Sequence, residues 1–491
     1  MTSGWTEPRR SPLIRLEGRQ SWLLALTVGT ALLLGGGTAA GLGSDAVVQL
    51  ISLALLLSVG ITGLKIGGPR RSAPFVIAAA ILALPLLQLI PVPPQLWETF
   101  PGRGEMVTIY TAIGLGLPWL PASLDPHATL GAALSLLPGI AVFAATTQLQ
   151  WQGRRTISLI ILAIGMVSVF LGLVQLMEGP SSPLRFFPIT NPGDSVGFFA
   201  NRNHYAALLY CSIAMAIAWL VGLMVDRRLD QPLAIATLGF VCLLLVVGLA
   251  MARSRAGVFL VALVVTGGIL MANRIGARAG RRIAIVVGAV LGVAGVVAGT
   301  YGLPGLLGRF DDGIVDRFRL LISATTARAA EAFLPIGSGF GTFVPIYQRF
   351  QTPISLSTSY INHAHNDWLE SWLEGGWPAA AIAGAFLVWF LVVAIKVWRS
   401  TDLSPIDQAL ARAATLAIGA LLIHSGVDYP LRTTAMMILF SFCCGLLISP
   451  PERQALVSRS GRSVGRSGWL ANRLGALGRR PQSSWTSDRF G

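Results

Sequence analysis

In residues 361–377, INHAHNDWLESWLEGGW, two histidines, two asparagines, an aspartate and two glutamates crowd one short stretch of an otherwise apolar chain. Three readings fit these residue types at this spacing. In the first, the histidines with Asn366 form a polar loop plug capped by Asp367. In the second, His363, His365 and Asp367 offer imidazole and carboxylate to zinc or manganese, although no further His or Cys cluster supplies the remaining ligands. In the third, a histidine is a general base, because imidazole has an ordinary pKa near neutrality and a positioned base is worth roughly 10² to 10⁴ in rate. The third is preferred, with His365 as the base. Asp367 followed by Glu370 predicts an acidic capping box, with Trp368, Leu369, Trp372 and Leu373 as the apolar face and Gly375 as the stop. Pro378 then fits the first turn of the next helix. The amides at the start of the first helix present a partial positive end to whatever the histidines address, which suits an anion.

A second group of polar residues sits against the ends of apolar runs. Arg202, beside Asn203 in FFANRNHYA, and Arg253 with Arg255 in MARSRAG occupy places where a structural role does not require a cation. Guanidinium is planar, permanently charged and forked, so several such groups suit bidentate contact with a lipid carrier's pyrophosphate. Arg328, in TTARAAEAFLPIGSGFG, is a further candidate. The plain alternative is that the first three snorkel to anchor helix ends and that Arg328 is an ordinary cation on a loop helix. Gly337, Gly339 and Gly341 form G-x-G-x-G, but without the strand–turn–helix context of a dinucleotide site they read as a turn. In HSGVDYPLRTTA, residues 424–435, Asp428 and Arg432 either pair with each other or contact substrate.

The elements that must position these groups are membrane helices. The 491 residues are 53% hydrophobic and 12% charged, against roughly 25% charged for a soluble domain, so the expected fold is an all-α polytopic membrane protein. About twelve apolar segments have spanning length: 21–40, 46–64, 74–93, 127–148, 157–177, 204–225, 232–251, 256–272, 283–302, 378–397, 408–425 and 431–449. The formal charge of +15 is spread in short basic clusters between these segments. That pattern is topology and not a nucleic-acid face. With about twelve spans the clusters share one side, which places both termini in the cytoplasm. The division is then a cytoplasmic N-terminus at 1–20, helices one to nine over 21–302 with outer loops at 91–126 and 178–203, a long and partly helical outer segment at 303–376, three more helices over 377–449, and a basic disordered tail at 450–491. Trp97 and Trp119 place the first outer loop at the membrane interface. The four cysteines lie inside apolar runs and read as small core residues.

Taken together, GFFANRNHYA, SRAG, PIGSGFGTF, HAHNDWLE and EGGWPAA resemble the O-antigen ligase and polymerase family of bacterial cell-envelope glycosyltransferases over about residues 91–448. HAHND is the most specific of these motifs. IPVPPQLWETFPGRGE and DYPLRT are also similar to members of the family. The resemblance implies a GT-C-like enzyme of the bacterial inner membrane, acting in lipopolysaccharide or exopolysaccharide biosynthesis. It would take glycan from undecaprenyl pyrophosphate at the periplasmic face and pass it to a hydroxyl of a glycan or lipid A-core acceptor. Transfer would invert the anomeric carbon and require neither metal nor cofactor. The family's donor-binding arginines would fall on Arg202 and Arg255, and its essential loop histidine on His365. Arg253 and Arg328 would share the pyrophosphate charge, and Asn203, His363, Asn366 and Asp367 complete the expected substrate-binding set. In the ligase branch a spaced G-x-x-G follows the histidine; here Gly376 stands at its first position and Ala379 at its second.

Two other functions share this outline. An O-linked protein glycosyltransferase would use the same groups on a protein hydroxyl. A lipid-glycan flippase or transporter would carry its polar residues and broken helices near the bilayer midplane, whereas here they gather on one face.

Overall fold

Apolar runs become helices wherever the sequence predicts them within the described residues. A computed structural model describes residues 16, 18–39, 43–64, 69–187, 191–225, 232–275, 280–281, 283–285, 288–289, 292, 317–353 and 360–450. The helices are α1 (Gly18–Leu34), α2 (Gly43–Thr62), α3 (Pro69–Gln88), α4 (Pro94–Trp97), α5 (Gly104–Ala112), α6 (Pro126–Ser135), α7 (Leu137–Gln148) and α8 (Trp151–Glu178). They continue with α9 (Arg202–Val225), α10 (Pro232–Met251), α11 (Arg255–Ile275), α12 (Arg317–Phe333), α13 (Phe343–Phe350), α14 (Asp367–Arg399), α15 (Pro405–His424) and α16 (Thr434–Leu446). Among the described residues, eight segments are long and apolar enough to cross a membrane, with α6 and α7 counted as one, and α3 and α16 are shorter apolar helices. The chain is therefore a multi-pass helical membrane protein. Most of the expected span at 283–302, the terminal segments 1–15 and 451–491, and residues 303–316 of the long outer segment lie outside the described residues.

Two expected spans change for local reasons. The predicted span 127–148 breaks into α6 and α7 at Leu136, just before Pro138. Asp125 caps α6 by accepting the Ala128 amide at 3.0 Å, ahead of Pro126 in the first turn. The predicted span 74–93 stops at Gln88 because Pro91–Val92 pairs antiparallel with Leu120–Pro121 in a two-stranded ribbon. That ribbon also corrects the reading of Trp97: it is buried, its indole donating to the Pro121 carbonyl at 2.8 Å, while Trp119 is exposed.

The core is built on α9, buried along nearly its whole length and packed by α8, α10, α11 and α15. Around it, α16 packs on α7 and α1, and α2 packs on α1 and α7. At one end of the bundle Arg155 pairs with Asp407 at 2.7 Å, and buried Arg154 donates to the Leu149, Thr147 and Ile448 carbonyls, joining the ends of α7 and α16. The basic doublet that read as topology is thus also a structural clasp.

Candidate active site

The start of α14 is fixed by its own cap. Asn366 Oδ1 accepts the Leu369 amide at 3.0 Å, so the cap is Asn366 and not the expected Asp367, which becomes the first helical residue. The helix is interrupted one residue later than predicted, at Gly376 with φ 56°. A Cβ there would lie 2.2 Å from the Pro335 carbonyl oxygen, so glycine is needed for both backbone conformation and approach. Gln88, at the end of α3, holds this break by donating to the Glu374 carbonyl at 2.9 Å and accepting the Phe340 amide at 3.1 Å. The glycine run forms the expected turn, wrapped round Glu374, whose carboxylate accepts the Gly341 amide at 2.9 Å. Arg103, buried, donates to the Pro101, Ala122 and Gly337 carbonyls and so ties the first loop to that turn. Burial pulls its pKa down to about 10, which leaves it charged at neutral pH.

On this frame two histidine relays share one aromatic ring. His365 Nδ1 donates to Asp428 at 3.1 Å, and His363 Nδ1 donates to Glu370 at 2.8 Å. Both imidazoles lie against Tyr429, with ring centroids 5.0 and 4.3 Å away, and buried His204 closes a third side at 4.8 Å. Burial raises the pKa of Tyr429, keeping the phenol neutral. The ionised carboxylate is an acceptor only, so it fixes the proton on His365 Nδ1 and leaves Nε2 as the basic nitrogen.

Asp428 is fully buried. Burial acts to raise its pKa, but the charge of Arg319, followed by the hydrogen bond and charge of His365, holds it well below the usual carboxylate range. Arg319 approaches it at 3.5 Å and donates to the Val427 carbonyl at 2.6 Å. Asn203 donates its side-chain amide to the same carboxylate. Of the two readings of Asp428 and Arg432, a pair between them does not form. Arg432 instead faces Glu374 at 2.8 Å, Glu370 at 3.2 Å and Asp367 at 3.7 Å, three carboxylates on one face of α14. Burial opposes its charge, and Glu370, Glu374 and Asp367 raise its pKa above the ordinary arginine value.

The arginines reach this centre through helix starts. Asn201 Oδ1 accepts the Asn203 amide at 2.8 Å, opening α9 with Arg202 as its first residue. Ser254 does the same for α11, accepting the Gly257 amide at 3.1 Å, with Arg255 first in that helix. Arg202 and Arg253 share the buried carboxylate of Asp194, at 2.5 and 3.7 Å. Ser254 donates to Asn203 Oδ1 at 2.8 Å. A continuous chain of bonds therefore runs Ser254–Asn203–Asp428–His365, from the arginine turn to the imidazole. Two helix N-termini, with the guanidiniums of Arg202 and Arg253 against one aspartate, make an anion-favouring corner.

Of the nine residues singled out from sequence, Arg202, Asn203, Arg253, Arg255, His363 and His365 meet in this neighbourhood. Asn366 is a cap. Asp367 Oδ2 binds the turn after α15, accepting from Ser425 at 2.7 Å and the Leu431 amide at 3.3 Å. His363, His365 and Asp367, the trio that a metal would need together, thus each face a different partner. Arg328 is exposed on α12, touching Thr325 at 3.4 Å. It lies nine residues from Arg319, about 13 Å along the helix and half a turn round it, so the α12 arginine at the centre is Arg319. Arg319 and Asp194 carried no motif that sequence reading could use. Asp428 lay in a stretch already singled out, but its partner was hidden.

Residues 239–384, which include Arg253, Arg255, Arg319 and the histidine loop, match the family model described as O-antigen ligase. The comparison with curated proteins finds no match.

Proposed function

We propose, from the match of residues 239–384 to the O-antigen ligase family model, that the chain is a membrane glycosyltransferase that moves glycan from undecaprenyl pyrophosphate to an acceptor hydroxyl at the periplasmic face of the bacterial inner membrane. The observation that carries this reading is the His365–Asp428 pair, hydrogen-bonded through Asn203 to the turn bearing Arg253 and Arg255.

In the proposed reaction His365 Nε2 takes the proton of the acceptor hydroxyl as its oxygen attacks the anomeric carbon. The bond from that carbon to the pyrophosphate oxygen breaks on the opposite face, so configuration inverts. Arg202, Arg253 and Arg255 receive the negative charge that grows on the departing diphosphate, an effect worth roughly 10² to 10³ in rate for each well-placed donor. Asp428 holds the imidazole in the tautomer that leaves Nε2 free to accept, and stabilises the imidazolium formed. His365 then returns the proton to solvent. The diphosphate is already a good leaving group, so neither metal nor cofactor enters the scheme.

Backbone strain supports the same assignment. His365 and Arg253 have φ of 52° and 50°, the two non-glycine residues with positive φ among the described residues. Such positions cost roughly 1–3 kcal/mol and gather at functional sites.

The test is transfer by the purified full chain from a polyprenyl-pyrophosphate-linked glycan, followed as released diphosphate lipid. His365→Ala and Arg255→Ala are expected to lose at least about 10²-fold in turnover, and chelators to have no effect. Turnover retained in the histidine variant removes the base assignment. Deleting the gene and running surface glycans on a gel separates the outcomes in cells: loss of lipid A-linked polymer means ligase, and single-repeat glycans mean polymerase.

A further inference from the structure

α3 and α14 pack on each other, and a crevice lies between their inner faces and α7 and α16. Two cavities of about 330 and 210 Å³ occupy it and share Ile81, Leu136, Phe386, Leu431, Met437 and Phe440 as walls, so they form one slot. Its lining along α3 runs from Pro74 to Pro85, about 16 Å at the helical rise, close to half the roughly 30 Å hydrocarbon core of a bilayer. The deep end is lined almost wholly by apolar side chains, and the shallow end opens on Asp367, Ser371, Ser425 and Arg432.

That polar mouth lacks one hydrogen-bond donor. Asp367 is more than nine-tenths buried and lines the slot, and its Oδ1 has no hydrogen-bond partner among the described residues; Arg432 Nε stays 3.7 Å away. A buried acceptor left this way is destabilising, and a ligand hydroxyl that donates to it relieves that cost. A phosphate is disfavoured at the same place, since its oxygens would face the Asp367 carboxylate while the one cation lining the mouth, Arg432, is already paired with Glu370 and Glu374.

We propose that this crevice takes the hydrocarbon tail of the lipid-anchored acceptor, with a sugar hydroxyl of its head donating to Asp367 Oδ1. This rests on the transferase reading above. Asp367 is two residues from His365, at most about 7 Å along the chain, so a head held there sets a second hydroxyl at the base. The diphosphate donor occupies the arginine side, and the two lipids approach from different faces.

The test uses the full chain in detergent and two photoreactive probes of equal chain length, an alkyl glucoside and an alkyl phosphate, each with a diazirine at the tail end. The glucoside is expected to label peptides containing Phe386 or Met437, and the phosphate to label them less. Asp367→Asn, which sets an NH₂ where Oδ1 was, is expected to cut glucoside labelling about tenfold. Ala383→Trp, which fills the slot from the α14 side, is expected to abolish it, with thermal melting confirming that both variants fold. Equal labelling by the phosphate, labelling outside the crevice, or indifference to both substitutions overturns the proposal. The transfer assay is read separately: crevice labelling without any transfer leaves this site standing and sinks the transferase reading, and normal transfer by Ala383→Trp overturns the crevice alone.

Discussion

Asn203 donates its side-chain amide to the buried carboxylate of Asp428, joining the first turn of α9 to the turn after α15 that faces His365. Its carbonyl oxygen accepts from Ser254 between Arg253 and Arg255. One carboxamide thus sets the spacing between the proposed base and the proposed donor-binding turn.

Replacing Asn203 with Ala leaves Asp428 and Ser254 short of a partner at about 1–3 kcal/mol. Turnover is expected to fall roughly 10- to 100-fold, at about 1.4 kcal/mol per decade, with little change in acceptor KM. Steady-state transfer kinetics check this, and an unchanged kcat refutes the spacing role.

Asp428→Asn keeps the shape and removes the charge that selects the His365 tautomer, so turnover is expected to drop by about 10² or more. The folded pKa of Asp428 is held well below its ordinary value. Its charge therefore stabilises the fold above the unfolded value of about 3.9, and that stabilisation is lost as pH falls through the folded value. The melting-temperature gap between the native chain and this variant should be widest near neutrality and narrow as pH drops below about 4. A gap independent of pH shows that the charge contributes nothing.

Arg319→Ala removes the cation beside Asp428, whereas Arg328 projects from the other side of α12. We expect Arg319→Ala to lower turnover by about tenfold or more and Arg328→Ala to change it far less. Parallel assays in one membrane preparation compare them, and the reverse order overturns the placement of Arg319.

Arg432→Met strands Glu374 and Glu370 in the interior without their cation. Breaking a buried pair in this way costs about 3–5 kcal/mol, enough to abolish folding or lower the melting temperature sharply. Arg432→Lys restores charge but not the fork, so it is expected to recover only part of the loss. Thermal melting of the three proteins, with expression level as a second readout, decides this.

Much of the architecture was legible because membrane helices answer to local rules. An apolar run must satisfy its own backbone bonds, so 204–225, 232–251 and 408–425 predict α9, α10 and α15 to within a few residues. His363, His365, Asn203 and the arginines of MARSRAG stood out because polar groups against membrane helix ends are costly wherever they have no task. Trp97 misled because an interfacial aromatic and a buried staple have the same composition around them, and only the β-ribbon tells them apart. The cap fell on Asn366 and not on Asp367 because Asp367 was drawn to Ser425 and Leu431, residues far along the chain.

The sequence by itself determined that the chain crosses a membrane many times and which short segments carry its reactive groups, since hydropathy and side-chain chemistry are properties of neighbours in the chain. Only the tertiary structure decided which carboxylate serves which cation: Asp428 to His365 and Arg319, Arg432 to Glu370 and Glu374, Asp194 to Arg202 and Arg253. Pairing energies in a low-dielectric interior depend on distances of a few ångströms between groups that lie from 8 to 109 residues apart in the chain. Those distances exist only after α9, α11, α12, α14 and the turn at Asp428 have packed together.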